Sequence, residues 1–176
     1  MHHLALREQI GIPSALAISL INIGLIYASQ GNLEQALSYY KRALVLSEQV
    51  SNPINIGSSL NNIGSLYQKQ GKLKLALNYY EQALTHHKQG GHLVGSAVSL
   101  HNIGDIYIQQ GKLKQAIEHY GRALKHYERL GRGFESDVID ELEALAFCYA
   151  QLGKIDKAVA YNIRIKQIRE LIKPTS

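Results

Sequence analysis

The stretch NNIGSLYQKQGKLKLALNYYEQAL, Asn61 to Leu84, has two near copies in the same chain. INIGLIYASQGNLEQALSYYKRAL begins at Ile21 and HNIGDIYIQQGKLKQAIEHYGRAL at His101, each displaced by forty residues. The shared positions are mostly small or aromatic: Gly24, Gly64 and Gly104; Tyr27, Tyr67 and Tyr107; Ala36, Ala76 and Ala116; Ala43, Ala83 and Ala123. One is polar, at Asn22, Asn62 and Asn102. A fixed period of this length marks a repeated supersecondary unit that buries its apolar face on its neighbours. A fourth, divergent copy follows two residues late, with Ala146, Tyr149, Gly153 and Ala158. Its added residues are expected in LGRGFESD, ahead of its first helix.

Each unit reads as two helices. Leu20, Ile23, Gly24 and Tyr27 follow the spacing of one buried helical stripe. Gln30-Gly31-Asn32 stops that helix, the glycine supplying a left-handed residue. Leu33, Ala36, Leu37, Tyr40, Ala43 and Leu44 form the second stripe, which ends in the loop chemistry of SNP, QGG or LGRG. Gly24 and Ala36 are expected where the paired helices approach most closely, with Tyr27 and Tyr40 filling the space beside them. Tyr40 and Tyr80 are expected in the core, and Tyr39 and Tyr79 against the next repeat.

The chain has 176 residues, enough for one ordinary domain with a core. Its formal charge of +5 comes from Lys and Arg spread along the chain, which suits a solvated surface rather than a nucleic-acid groove. The single cysteine, Cys148, excludes an internal disulfide framework and fits a reducing compartment. Ile12 to Ala28 is almost uncharged, but it contains Asn22, is short for a membrane span and has more polar counterparts at the same register. It is read as a buried helix, with no membrane contact and a cytoplasmic address.

No catalytic set, metal site or cofactor motif emerges. Cys148 reads as a packed small hydrophobe. His86 and His87 are adjacent, so they point in different directions on a helix. His119 and His126 are seven residues apart, about 10 Å along a helix. The glycines mark helix ends and close contacts, and no phosphate-loop string occurs. An enzyme is not expected.

The pattern Leu20, Ile23-Gly24, Tyr27, Ala36, Tyr40, Ala43 resembles the tetratricopeptide repeat (TPR). The forty-residue period is similar to the form found in kinesin light chains, spindle adaptors coupled to G proteins and bacterial signalling proteins. The resemblance covers nearly the whole chain. The fourth copy departs from it, with Ala144, Asn162 and Ile165 at positions that hold Asn, Tyr and Ala elsewhere. It implies an all-α superhelical solenoid of antiparallel helix pairs in one domain: 13–52, 53–92, 93–132 and a divergent 133–176. Residues 1–12 align with the end of a second helix, Leu4 matching Leu44 and Pro13 matching Pro53, as expected of a segment of a longer array or, alternatively, of a short chain with a half-repeat cap.

The resemblance further implies a protein-binding scaffold or adaptor, with first helices lining a concave groove. In this sequence the groove positions are Asn22, Leu25, Ser58, Asn61, Asn62, Ser65, Gln68, His101, Asn102, Asp105, Asp140 and Glu143, with Ile18, Ile21, Val98, Ile108 and Phe147 among their neighbours. Asn is a poor choice inside a helix unless its amide is used. A column of Asn amides serves either as a ladder for the backbone of an extended ligand or as a tie between repeats. The groove grades from apolar in the first copy to acidic in the fourth, matching a ligand segment that is partly basic. Asp137 and Glu141 stand close by, where acidic residues also favour a helix N-terminus. An alternative is self-assembly, or an intramolecular regulatory contact, through the terminal helix, where Ile168, Leu171 and Ile172 add apolar surface.

Overall fold

The structure, a computed structural model, describes the backbone of residues 2–173 and the side chains from residue 12 onward. Those residues form eight α-helices: α1 (His2–Ser29), α2 (Leu33–Gln49), α3 (Pro53–Lys69), α4 (Leu73–Gln89), α5 (Leu93–Gln109), α6 (Leu113–Leu130), α7 (Glu135–Gln151) and α8 (Ile155–Leu171). They pack as consecutive antiparallel pairs. The chain divides into two compact units, one through Gly95 and one from Ser96, the boundary lying in the first turn of α5.

Turn chemistry sets the pairs. At the end of α1, Gly31 takes φ 80°. Its N–H reaches the carbonyl of Ala28 at 3.2 Å, and the N–H of Asn32 reaches that of Tyr27 at 2.9 Å. These are the two bonds of a Schellman cap, and they satisfy carbonyls the helix end would leave open. α3 opens differently. Pro53 occupies its first turn, and the Asn52 side chain accepts the N–H of Asn55 at 3.1 Å.

In the first unit, α1, α2 and α3 share a core of Leu20, Ile21, Ala36, Tyr40, Ala43, Ile63 and Leu66. Tyr80 lies over Gly64, where an added Cβ would stand 2.8 Å from the ring. In the second unit Tyr120 lies over Gly104 at 2.6 Å by the same measure. The glycine therefore makes room for the tyrosine of the partner helix. Tyr40 and Tyr80 are buried, as expected. Tyr39 and Tyr79 each stack at 5.3 Å on the first-helix tyrosine of their own repeat, Tyr27 and Tyr67, and Tyr39 packs against the cluster that holds Ile63 and Leu66 of the next repeat. The helix pair brings those two rings onto one edge of the repeat.

The two added residues of the fourth copy divide between elements. α6 has 18 residues against 17 in α2 and α4, and the loop 131–134 is one residue longer than 90–92.

The reading of Ile12–Ala28 as a buried helix is corrected. Ala17, Leu20 and Ile21 are buried, but Ile12, Leu16, Ile18, Ile23, Leu25 and Ile26 are exposed. Their forty-residue counterparts Ile56, Ile63 and Leu66 are buried in a unit where α2 packs on α3. Among the described residues no second helix precedes α1 to cover the same face. The backbone passes through Pro13 as continuous helix, without the loop that separates α2 from α3. The side-chain packing of residues 1–11 lies outside the described residues.

Candidate functional site: the first-helix faces

The repeat places corresponding residues on corresponding faces of α1, α3, α5 and α7. In the first unit Asn22 and Leu25 are exposed on α1, while Ser58, Asn61, Asn62, Ser65 and Gln68 are half-buried on α3. The Ser58 hydroxyl donates to the Ile54 carbonyl of its own helix at 3.0 Å. The Gln68 side-chain oxygen accepts from the buried Tyr80 hydroxyl at 2.7 Å, so it satisfies a core group. Ile21 is buried in the core instead of lining a groove.

In the second unit Asn102 occupies the same register of α5 and is half-buried. Asp105 accepts the Tyr120 hydroxyl at 2.7 Å, and burial together with this bond raises the Tyr120 pKa. Asp140 is exposed on α7. Glu143 is exposed and held by Arg169 of α8 at 2.6 Å.

The sequence reading missed the centre of this unit. Glu141 is buried, 1 % exposed, with Oε1 at 2.8 Å from Nδ1 of His101 and Oε2 without a hydrogen-bond partner among the described residues. Nε2 of His101 lies 3.7 Å from Asp105. Burial works against a charged His101, but the Glu141 hydrogen bond and the Glu141, Asp105 and Asp140 carboxylates outweigh it and raise the His101 pKa. Val98, His101, Tyr127, Asp137, Asp140 and Glu141 line an open cavity of about 120 Å³. A signal for it stood in the sequence: Glu141 occupies the register of Ser59 and Ser99, both fully buried, and a buried carboxylate needs a partner.

Cys148 is buried, and burial pushes its thiol up to about 11, as suits a packed side chain rather than a thiolate. In the terminal helix Ile168 is half-buried, whereas Leu171 is 83 % exposed and Ile172 is exposed.

The repeat geometry now meets known proteins. A family model described as "Tetratricopeptide repeat" matches residues 14–89 and 55–129. The chain belongs to the tetratricopeptide repeat family. No curated protein matches it. Among solved structures, BtubC (BKLC) from P. vanneervenii superposes with a TM-score of 0.81 at 22% identity, over 93% of this chain and 67% of that one. The kinesin-light-chain-type TPR-like repeats of Podosopora anserina superpose with a TM-score of 0.74 at 17% identity, over 93% and 79%. A Rap protein complexed with competence and sporulation factor gives 0.76 at 19% identity, over 91% of this chain and 43% of the other. At these identities the likeness is one of fold: a TPR-type solenoid, generally a protein-interaction module and typically non-catalytic.

Proposed function

We propose that this TPR chain is an adaptor whose first-helix faces bind an extended, partly basic segment of a protein partner in a cytoplasmic setting. The observation that carries this reading is the carboxylate cluster on α7. Asp137, Asp140 and Glu141 gather around one cavity while the first helices of the first unit present Asn22, Leu25, Asn61, Asn62 and Ser65. Within the second unit, the acidic groups of α7 and the Asn102 amide of α5 suit a ligand that offers backbone amides and cationic side chains. A Rap protein of similar fold has been crystallised with competence and sporulation factor, which supports ligand binding by such a scaffold.

The test uses synthetic peptides with aliphatic residues at one end and Lys and Arg at the other, labelled for fluorescence anisotropy. Charge-reversed versions serve as controls. The double variant Asn62→Ala/Asn102→Ala should weaken binding of the basic peptides by about five- to a hundredfold while circular dichroism shows retained helix. Equal binding of basic and charge-reversed peptides would overturn the reading.

A second reading is self-assembly, favoured by the exposed Leu16, Ile23 and Ile26 of α1 and by Leu171 and Ile172 of α8. It predicts a mass that rises with concentration and falls back on Ile26→Glu or Leu171→Glu.

A further inference from the structure

We propose that the cavity bounded by Val98, His101, Tyr127, Asp137, Asp140 and Glu141 is a specificity pocket for the cationic end of a Lys or Arg side chain. This rests on the adaptor reading for its biological ligand, but the pocket itself stands on geometry within the second unit.

The first argument is an orphaned acceptor. Glu141 is a wall of the cavity, almost wholly buried, and its Oε2 has no hydrogen-bond partner among the described residues. A buried carboxylate oxygen left unpaired is costly, and a cationic donor satisfies both its charge and its lone pairs.

The second argument is charge. Groups facing the cavity come from three helices. α5 supplies His101, with Asp105 beside it. α6 supplies Tyr127. α7 supplies Asp137, Asp140 and Glu141. His101 neutralises at most one of these four carboxylates, and Asp105 is already occupied by Tyr120. The remaining acidic charge on Asp137 and Asp140 has no ion pair among the described residues.

The third argument is size and wall chemistry. A volume of about 120 Å³ is room for about four waters at ~30 Å³ each. That accommodates a side-chain terminus and not a whole ligand. Val98 and the Tyr127 ring supply apolar surface for the methylenes behind the charge, the arrangement long cationic side chains favour.

The experiment uses n-butylammonium and n-butylguanidinium as probes, with 1-butanol as the neutral control at matched ionic strength. Binding is read from the His101 imidazole signals by NMR. The cations should saturate a shift at His101 in about the millimolar range, and butanol should not. A bound cation beside His101 should also lower the imidazole pKa, because the two positive charges compete for the same carboxylates. Asp140→Asn, a change at an exposed position, should weaken the cations about tenfold or more without altering the fold. Glu141→Gln should weaken them as well and release His101 toward its ordinary pKa.

Saturable cation binding that Asp140→Asn leaves unchanged would overturn the pocket, as would a His101 shift shared by butanol. Absence of any cation-induced shift would overturn it too and would assign the space to water. Butylammonium binding without peptide binding would remove the adaptor reading and leave the pocket. Peptide binding without butylammonium binding would do the reverse.

Discussion

Oε1 of Glu141 on α7 lies 2.8 Å from Nδ1 of His101 on α5, and this bond ties the first helices of successive repeats inside the second unit. Glu141 is buried and His101 only partly so. Removing the histidine would leave a carboxylate in the interior with neither oxygen satisfied. His101→Ala is therefore expected to destabilise the protein by about 3 kcal/mol at neutral pH. The double variant with Glu141→Ser, which restores the residue of the other copies, should recover part of that loss. Urea unfolding of the two variants beside wild type measures both.

A second histidine gives a pH dependence of known sign. His87 is buried, with Nδ1 at 3.4 Å from Nδ1 of His92 and its ring against Gly57 and Gly95. Burial, with the charges of His92 and His86, lowers its pKa from 6.5 to about 4. The unfolded chain therefore binds a proton near pH 6.5 that the folded chain refuses until about pH 4. The stability contributed by neutral His87 is present above pH 6.5 and is lost as pH falls towards 4. The full difference is about 3 kcal/mol. His101 has the opposite sign. Its raised pKa contributes stability below the unfolded value, which is lost as pH rises through the folded one. His87→Gln should flatten the acid limb of a stability–pH curve, while His101→Gln should leave that limb in place.

Much of this architecture is written in the repeat. The forty-residue spacing of Gly64 and Tyr80 with their counterparts specifies which helices pair and where the tyrosine sits, because only a missing side chain admits the ring. The His101–Glu141 bond was harder to read. It joins residues of adjacent repeats that occupy different registers, so no single copy displays it. Likewise Gln68 and Asp105 read as groove residues by position, yet each spends an oxygen on a buried tyrosine hydroxyl. Periodicity reports which face a residue occupies, and hydrogen-bond demand from the core then decides how much of it the ligand meets. The exposure of α1 follows from neighbours rather than from its own composition, which is as apolar as a buried helix.

The Gly64–Tyr80 contact predicts a steric cost. A Cβ at residue 64 would lie 2.8 Å from the Tyr80 ring and 3.3 Å from the carbonyl oxygen of Ala76. The ring is 1 % exposed and its hydroxyl is held by Gln68. Gly64→Ala should destabilise by about 1–3 kcal/mol despite the better helix propensity of alanine. Thermal unfolding checks this, and pairing it with Tyr80→Leu should reduce the penalty by removing the clash.

The loop between α2 and α3 carries a small strain that the other repeats avoid. Ser51 adopts φ 52°, the left-handed region, whereas the same register of the next repeat holds Gly91 at φ 64°. A β-carbon there crowds the backbone, and glycine removes the clash at some cost in unfolded-state entropy. Because Gly91 closes the corresponding turn with the same pair of backbone bonds as Ser51, the native conformation accepts glycine without rearrangement. Ser51→Gly is expected to raise stability by about 0.5–1 kcal/mol, measured as a higher urea midpoint with an unchanged slope. A lower midpoint would mean that the serine makes a compensating contribution in the folded state.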